Sequence, residues 1–243
     1  SDLEIIQEIT LEDALRGVKK KIAINTWIPC VECRGLGYDK NQGLQTCDAC
    51  SGRGEVKIER NTFFGKLSGV SPCVKCGGKG EIPKAVCKTC SGVGRKNGTA
   101  EIEADFSPGI NDNQVIQIKG AGEAGTGGAG RGDLYIVVKI KPHSVFRRLQ
   151  NDLFMDQKIR LTDALLGRKI EITDISGEKF FIIIPLGFNF NERMRLPGRG
   201  MPQLGKTPSP YSRGDLYIAF NLELPKKLSP KLRGLLEQME SEN

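Results

Sequence analysis

The chain has 243 residues, with 36 Lys plus Arg against 29 Asp plus Glu, 30 Gly, 8 Cys and a single His. That length and an apolar share of 38 % suit one large domain or two small ones, and exclude a disordered chain. No apolar run approaches the ~20 residues of a membrane helix, the start Ser1-Asp2-Leu3-Glu4 lacks the regions of a signal peptide, and one His excludes most catalytic triads; the formal charge of +7 raises nucleic acid or an anionic surface as a partner.

In chain order, Leu11-Glu12-Asp13-Ala14-Leu15-Arg16-Gly17 reads as a short amphipathic helical turn, and 18–26 as a strand. Then come the cysteines, all between Cys30 and Cys90. They form four Cys-x-x-Cys pairs: Cys30/Cys33, Cys47/Cys50, Cys73/Cys76 and Cys87/Cys90. Each pair is followed by glycines at the same offsets: Gly35 and Gly37, Gly52 and Gly54, Gly78 and Gly80, Gly92 and Gly94. One such match is weak evidence, but four with identical offsets are an internal repeat. Zinc takes four soft ligands at tetrahedral corners, and a tight Cys-x-x-Cys turn aims two thiolates at one ion. Glycine just after the second Cys accepts the positive φ the turn needs. Four pairs therefore give two all-cysteine sites, hence two Zn2+. The sole His, His143, lies far outside the region.

A disulfide framework fits poorly, because eight Cys serve 243 residues and no secretion signal precedes them. A thioredoxin-like redox pair usually opens a helix, whereas these pairs open glycine turns. The gaps of 13, 22 and 10 residues suggest a nested order, with a two-stranded excursion between pairs two and three. Spacing alone leaves pairing of one with two and three with four open.

Beyond the cysteines, strands are expected at 99–106, 114–119 and 133–140. The glycine cluster Gly120 to Gly132 lies between the last two, and Gly125, Gly127 and Gly130 fit Gly-x-Gly-x-x-Gly. A dinucleotide site is rejected, since that fingerprint must open a helix and this one opens a strand; a mobile hairpin or loop is expected. The earlier segments then recur. Leu161-Thr162-Asp163-Ala164-Leu165-Leu166-Gly167 repeats 11–17, and Lys169-Ile170-Glu171-Ile172 repeats Lys21-Ile22-Ala23-Ile24. Arg213-Gly214-Asp215-Leu216-Tyr217-Ile218 repeats Arg131-Gly132-Asp133-Leu134-Tyr135-Ile136, and Leu196-Pro197-Gly198 parallels Ile118-Lys119-Gly120. Further strands are expected at 168–173, 179–184, 192–196 and 215–222. The offset falls from 150 to about 80, so the first copy holds roughly 70 extra residues, close to the length of the cysteine block. The tail reads as a helix capped by Ser229 with Pro230 at its first position and Leu232, Leu235, Leu236 and Met239 on one face. So short a helix should pack on its own domain or on a second copy.

The expected fold is mainly β: two tandem, similar β-sandwich or barrel-like domains, with a hairpin-rich two-zinc module inserted in the first. The first domain takes 1–29 and 95–142, the zinc module 30–94, the second domain 143–225 and the helix 226–243.

Four Cys-x-x-Cys-x-Gly-x-Gly repeats inserted into the first of two similar β-domains resemble the DnaJ family, co-chaperones of the seventy-kilodalton DnaK class. Leu11 to Gly17, Pro108-Gly109, Gly120-Ala121-Gly122-Glu123-Ala124-Gly125 and both Gly-Asp-Leu-Tyr strands carry the same resemblance. The family's helical hairpin with His-Pro-Asp and its Gly/Phe-rich linker are not matched, so the chain is expected to be the client-binding and zinc-binding body of a longer protein, unable to stimulate the partner ATPase unaided. The resemblance implies one zinc on Cys30, Cys33, Cys87 and Cys90 and the other on Cys47, Cys50, Cys73 and Cys76. It implies a client groove at Leu3, Ile22, Ile24, Ile102 and Ile136, with unfolded polypeptides and a DnaK-type chaperone as partners. It further implies no enzymatic activity, no membrane, a cytoplasmic setting (or a mitochondrial or plastid matrix), and a homodimer in the longer protein.

Two rivals are a zinc-dependent thiol–disulfide oxidoreductase and a zinc-containing nucleic-acid-binding protein. Against the second, only Tyr38, Phe63 and Phe64 interleave the cysteines as aromatics. Eight thiolates and two Zn2+ also take the formal +7 to about +3.

Overall fold

A computed structural model describes residues 1–62, 65–204, 212–225 and 227–241. Phe63 and Phe64 lie outside the described residues. The chain runs β1 (Leu3–Ile9), α1 (Leu11–Arg16), β2 (Val18–Pro29), β3 (Leu44–Thr46), β4 (Glu55–Thr62), β5 (Gly65–Pro72), β6 (Glu81–Pro83), β7 (Arg95–Phe106), β8 (Val115–Ile118) and β9 (Leu134–Ile140). It continues with β10 (Phe146–Leu149), β11 (Asp152–Arg160), α2 (Leu161–Leu165), β12 (Lys169–Thr173), β13 (Lys179–Ile183), β14 (Met194–Leu196), β15 (Leu216–Glu223) and α3 (Pro230–Ser241).

The protein is mainly β, as the alternating sequence implies, but the sheets are open and no closed barrel forms among the described residues. One sheet has the order β1-β9-β8 and another β10-β11-β15-β14; β2-β7, β3-β6, β4-β5 and β12-β13 pair as ribbons. All eight strands expected outside the cysteine block form within a few residues of their expected ends. The excursion between cysteine pairs two and three is the antiparallel ribbon β4-β5, with Val56 opposite Ser71. Strands β1, β10 and β11 were not foreseen.

By contacts the chain divides into two units. One contains Ser1–Ile6, Lys21–Ala104 and Val115–Val137, the other Gln7–Lys20, Asp105–Gln114 and Val138–Asn243. In the first unit, the inner side chains of the sheet strands include Leu134 and Ile136, both fully buried. In the second, β11 pairs in parallel with β15, setting Leu153 beside Leu216 and Met155 beside Ile218, all buried. On both strands buried residues alternate with more exposed ones, as a pleated strand with one covered face requires.

The duplication is written in the backbone. The Leu3 amide donates to the Asp133 carbonyl at 2.9 Å, and Leu153 does the same to Asp215 at 2.9 Å. Asp2 Oδ1 accepts from the Asp133 amide and Asp152 Oδ1 from the Asp215 amide, both at 2.8 Å. Asp133 in turn accepts from the Gly120 amide, and Asp215 from the Gly198 amide. The unforeseen β1 and β11 are thus counterparts 150 residues apart.

The two copies start their helices differently. Thr10 caps α1, its Oγ1 accepting from the Asp13 amide at 3.1 Å while its own amide donates to Asp13 Oδ2 at 3.2 Å, a capping box. Arg160 stands at that place before α2 and gives no side-chain cap. Ser229 caps α3 as expected, its Oγ accepting from the Leu232 amide at 3.2 Å. No helix among the described residues is long and apolar enough to cross a membrane.

Candidate metal centres

The eight cysteines are free of disulfides and buried, and they gather into two groups of four. Cys30, Cys33, Cys87 and Cys90 form one, Cys47, Cys50, Cys73 and Cys76 the other, with the sulfurs of each within 4.8 Å of one another. The nested order holds and the sequential alternative does not.

In the first group Cys30 Sγ lies 4.0 Å from Cys87 Sγ and Cys33 Sγ 3.7 Å from Cys90 Sγ. The matching distances in the second group are 3.9 Å (Cys47–Cys73) and 3.8 Å (Cys50–Cys76). A tetrahedron with metal–sulfur bonds of about 2.3 Å has edges of about 3.8 Å, whereas a disulfide needs about 2.0 Å. Each cluster can therefore hold one zinc ion.

The glycines let these partners approach this closely. A Cβ on Gly37 would lie 2.3 Å from the Gly92 carbonyl oxygen, and one on Gly94 would lie 2.2 Å from that of Gly35. The first and fourth turns thus interlock backbone to backbone, each giving its second glycine to the other's first. Gly54 and Gly80 repeat this with Gly78 and Gly52 in the second cluster. Reciprocal hydrogen bonds accompany the contact: Cys30 N to Gly94 O at 2.9 Å with Cys87 N to Gly37 O at 3.0 Å, then Cys47 N to Gly80 O at 2.9 Å with Cys73 N to Gly54 O at 2.8 Å. Each centre is a pair of near-equivalent turns.

The sequence placed positive φ on the glycines, and they have it. The structure adds that Arg34, Ser51 and Ser91, each directly after a second cysteine, also have φ near +50°, a left-handed conformation that is uncommon outside glycine. Only the third turn has glycine there, Gly77. That conformation lets the amide four residues past the cysteine donate to sulfur: Gly37 to Cys33, Gly54 to Cys50, Gly80 to Cys76 and Gly94 to Cys90, all at 3.2 Å.

The electrostatics call for a cation. The Cys33 backbone amide is the main cause of a Cys30 thiol lowered to about 7. For Cys76, burial pushes upward but is outweighed by the Gly80 amide and neighbouring groups, giving about 7. Cys87 is pulled down by the Cys90 amide, yet burial and the adjacent thiols of Cys90 and Cys33 push it up to about 11. Four touching sulfurs cannot all carry charge unaided; a divalent ion at their centre removes that conflict.

Polar contacts between knuckles add little. Lys75 Nζ meets Asp48 at 2.7 Å and Thr89 Oγ1 donates to Glu32, all exposed. The glycine-rich loop before β9 opens no helix, in keeping with the rejected dinucleotide site, and it meets the first cluster: the Gly127 amide donates to Val93 O at 3.1 Å. Arg95, next to Gly94, stacks on Trp27 at 4.7 Å and donates to Ala124 O at 2.8 Å. Neither member of that stack was singled out from sequence; an Arg directly following the fourth repeat was the available signal. His143 is structural. Its Nδ1 accepts from the Val145 and Phe146 amides, so its Nε2 carries the proton toward Glu12 Oε1 at 3.1 Å.

The five expected groove residues all fall in the first unit. Ile136 (0 % exposed) and Ile24 (8 %) are buried, while Leu3, Ile22 and Ile102 are half-buried on β1, β2 and β7. Strand β1 is an edge of its sheet with β9 beside it.

The profile described as DnaJ C terminal domain matches residues 3–225. The chain is 35 % identical over 240 residues to "Chaperone protein DnaJ" of Fusobacterium nucleatum subsp. polymorphum, covering 99 % of this chain and 59 % of the relative. It is 39 % identical over 225 residues to "Chaperone protein DnaJ 2" of Aquifex aeolicus, covering 93 % and 57 %. It is 38 % identical over 243 residues to "Chaperone protein DnaJ" of Leptospira biflexa, covering 100 % and 63 %. The chain thus spans about three fifths of the length of these curated relatives.

Proposed function

We propose that this chain, which belongs to the DnaJ C-terminal domain family, is the client-binding and zinc-binding body of a co-chaperone. It holds exposed apolar stretches of non-native polypeptides and passes them to a DnaK-type ATP-driven chaperone. The observation that carries the reading is the nested pair of four-cysteine centres with interlocked glycine turns, in a chain whose relatives are named as DnaJ chaperones. Cys30, Cys33, Cys87 and Cys90 hold one structural zinc, and Cys47, Cys50, Cys73 and Cys76 the other. With every sulfur committed to metal, thiol–disulfide exchange is disfavoured, and the function requires no covalent chemistry.

The client lies along the first β-domain, residues 1–29 and 95–142, and pairs with a free strand edge while its side chains reach Leu3, Ile22, Ile24, Ile102 and Ile136. The edge position of β1 and the partial exposure of Leu3, Ile22 and Ile102 support this. Ile24 and Ile136 form the floor. The second β-domain takes 143–225, and a second copy covers the apolar side of α3, where Leu235 and Leu236 are 51 % and 37 % exposed. The thiol-rich centres suit a reducing compartment such as the cytoplasm.

The test replaces half-buried positions, which perturb the core least. Ile22→Ser and Ile102→Ser should each weaken binding of a denatured client about 5-fold or more, within the usual ~1–3 kcal/mol of one apolar pocket contact, while retaining two zinc ions per chain. Unchanged client binding in both variants overturns the groove.

A further inference from the structure

In the second unit, consecutive residues of β10 point two guanidinium groups to different tasks. Arg148 is mostly buried and uses four of its five N–H groups: Nε to Gln150 O at 2.7 Å, Nη1 to Ile110 O at 2.6 Å, and Nη2 to Gly109 O and Asn111 Oδ1 at 2.9 and 2.7 Å. Every acceptor is neutral. No carboxylate is hydrogen-bonded to it; burial pulls it below its ordinary value and the nearby Asp112 charge only partly offsets this. Arg148 lines an open cleft of about 590 Å³ whose apolar walls include Leu11, Ile140 and Phe146. Arg147 lines the same cleft and, on its other side, a smaller one of about 200 Å³ shared with Phe154 and Arg193.

The register explains this second group. Arg147 is directly opposite Phe154, Phe154 opposite Tyr217, and Tyr217 opposite Arg195, so one row crosses all four strands of β10-β11-β15-β14. Phe154 and Tyr217 stack at 5.1 Å and 12°. The guanidinium carbons of Arg147 and Arg193 lie 5.7 and 5.4 Å from the centre of the Phe154 ring. Arg195 is neutralised by Asp215 at 2.6 Å. Arg147 and Arg193 have no carboxylate within ion-pair distance among the described residues.

Carboxylates on these clefts do not cancel the charge. Asp112 accepts from the Ile140 amide and meets Lys139 and Asn113. Asp156 is on the smaller cleft and exposed, one charge against two. Lys141 lies 3.4 Å from Glu8. Arg147 and Arg193 therefore present unpaired charge across two adjoining clefts, with Arg148 beside them only partly offset by Asp112.

We propose that these clefts form a docking site for an acidic peptide segment, with carboxylates held by Arg147 and Arg193 near Arg148 and an apolar side chain resting against Phe146. Guanidinium pairs bind carboxylates in fixed, forked geometry, and prepositioning over an aromatic ring lowers the ordering cost. Single-stranded nucleic acid fits less well, because base stacking needs a free ring face and the Phe154 ring is flanked by Tyr217 and both arginines. The five proposed groove residues, Leu3, Ile22, Ile24, Ile102 and Ile136, lie in the other unit and none of them lines either cleft.

The test uses the zinc-loaded chain and two labelled octapeptides, four Leu-Glu repeats and four Leu-Gln repeats, followed by fluorescence anisotropy. The Leu-Glu peptide should bind about 10-fold or more tightly than its amide twin and weaken about 10-fold between 0.05 and 0.5 M salt. Arg147→Gln and Arg193→Gln should each reduce its affinity about 5-fold or more. Lys158→Gln, which removes the same charge elsewhere on β11, should leave it unchanged. Equal binding of the two peptides overturns the proposal, as does equal loss in all three variants. So does a single-stranded RNA of the same length that binds more tightly than the Leu-Glu peptide and loses affinity in the same two arginine variants.

Discussion

Between residues 30 and 94 the buried apolar side chains among the described residues are the eight cysteines; Val31, Val70, Val74 and Val86 are exposed, and Val56 and Ile82 pack partly against the second cluster. The sheet β10-β11-β15-β14 instead buries Leu153, Met155, Ile159, Leu216, Ile218 and Phe220. Both are made of short strands and turns. Among its described residues the cysteine segment buries little apolar area to offset its chain entropy, so the ion at each centre is the expected source of its ordering. The sheet is stabilised by area removed from water. Similar secondary structure thus has two unrelated sources of stability in one chain.

Chelation separates them most sharply. Removing the metals should release about 10 kcal/mol or more of folding free energy per centre. Amide-exchange protection should vanish over 30–94 and persist in β11 and β15. Protection that survives chelation in the cysteine segment would refute the contrast. Next in size, Gly37→Ala drives a methyl into the Gly92 carbonyl at a left-handed position. It should cost about 3 kcal/mol or more and leave close to one zinc per chain by elemental analysis, with Cys47 to Cys76 still loaded. Leu153→Ala is the reciprocal experiment. It opens a cavity in the sheet, and should lower unfolding stability by about 3 kcal/mol without changing metal content. Smallest is Gly43→Ala. Its φ is +72° but nothing lies within 4 Å of the added carbon, so about 1 kcal/mol of backbone strain is expected, with both metals retained in denaturant titration. A large effect there would mean that strain, and not interlock, governs the cysteine turns.

The metal centres were legible because soft ligands at fixed spacing leave few alternatives, and four copies of one motif repeat the message. The pairing was not legible from spacing. It shows in contacts such as Gly37 against Gly92, which join residues 55 positions apart. Strand β11 escaped notice for a local reason: Asp152-Leu-Phe-Met-Asp-Gln-Lys-Ile-Arg160 interrupts its apolar face with Gln157 and carries Asp and Lys, so alternation is weak. Its place is set by parallel pairing with β15, more than 60 residues on. The left-handed Arg34, Ser51 and Ser91 were invisible because nothing in those residue types asks for that conformation. The N–H···S bonds they enable hold them there.

The Cys30 amide bonded to the Gly94 carbonyl has a topological meaning. Strand β2 ends at Pro29 and its ribbon partner β7 begins at Arg95, so the chain leaves the host ribbon and rejoins it at nearly the same point. An excursion of more than 60 residues then imposes on its host the closure constraint of a tight hairpin, since loop entropy is spent inside the excursion and absorbed by its own metals. The host ribbon need not change to accept it, and a short turn in its place should leave β2 and β7 in register. The two ends of the segment are thus drawn together at its first metal centre, which gathers Cys30, Cys33, Cys87 and Cys90.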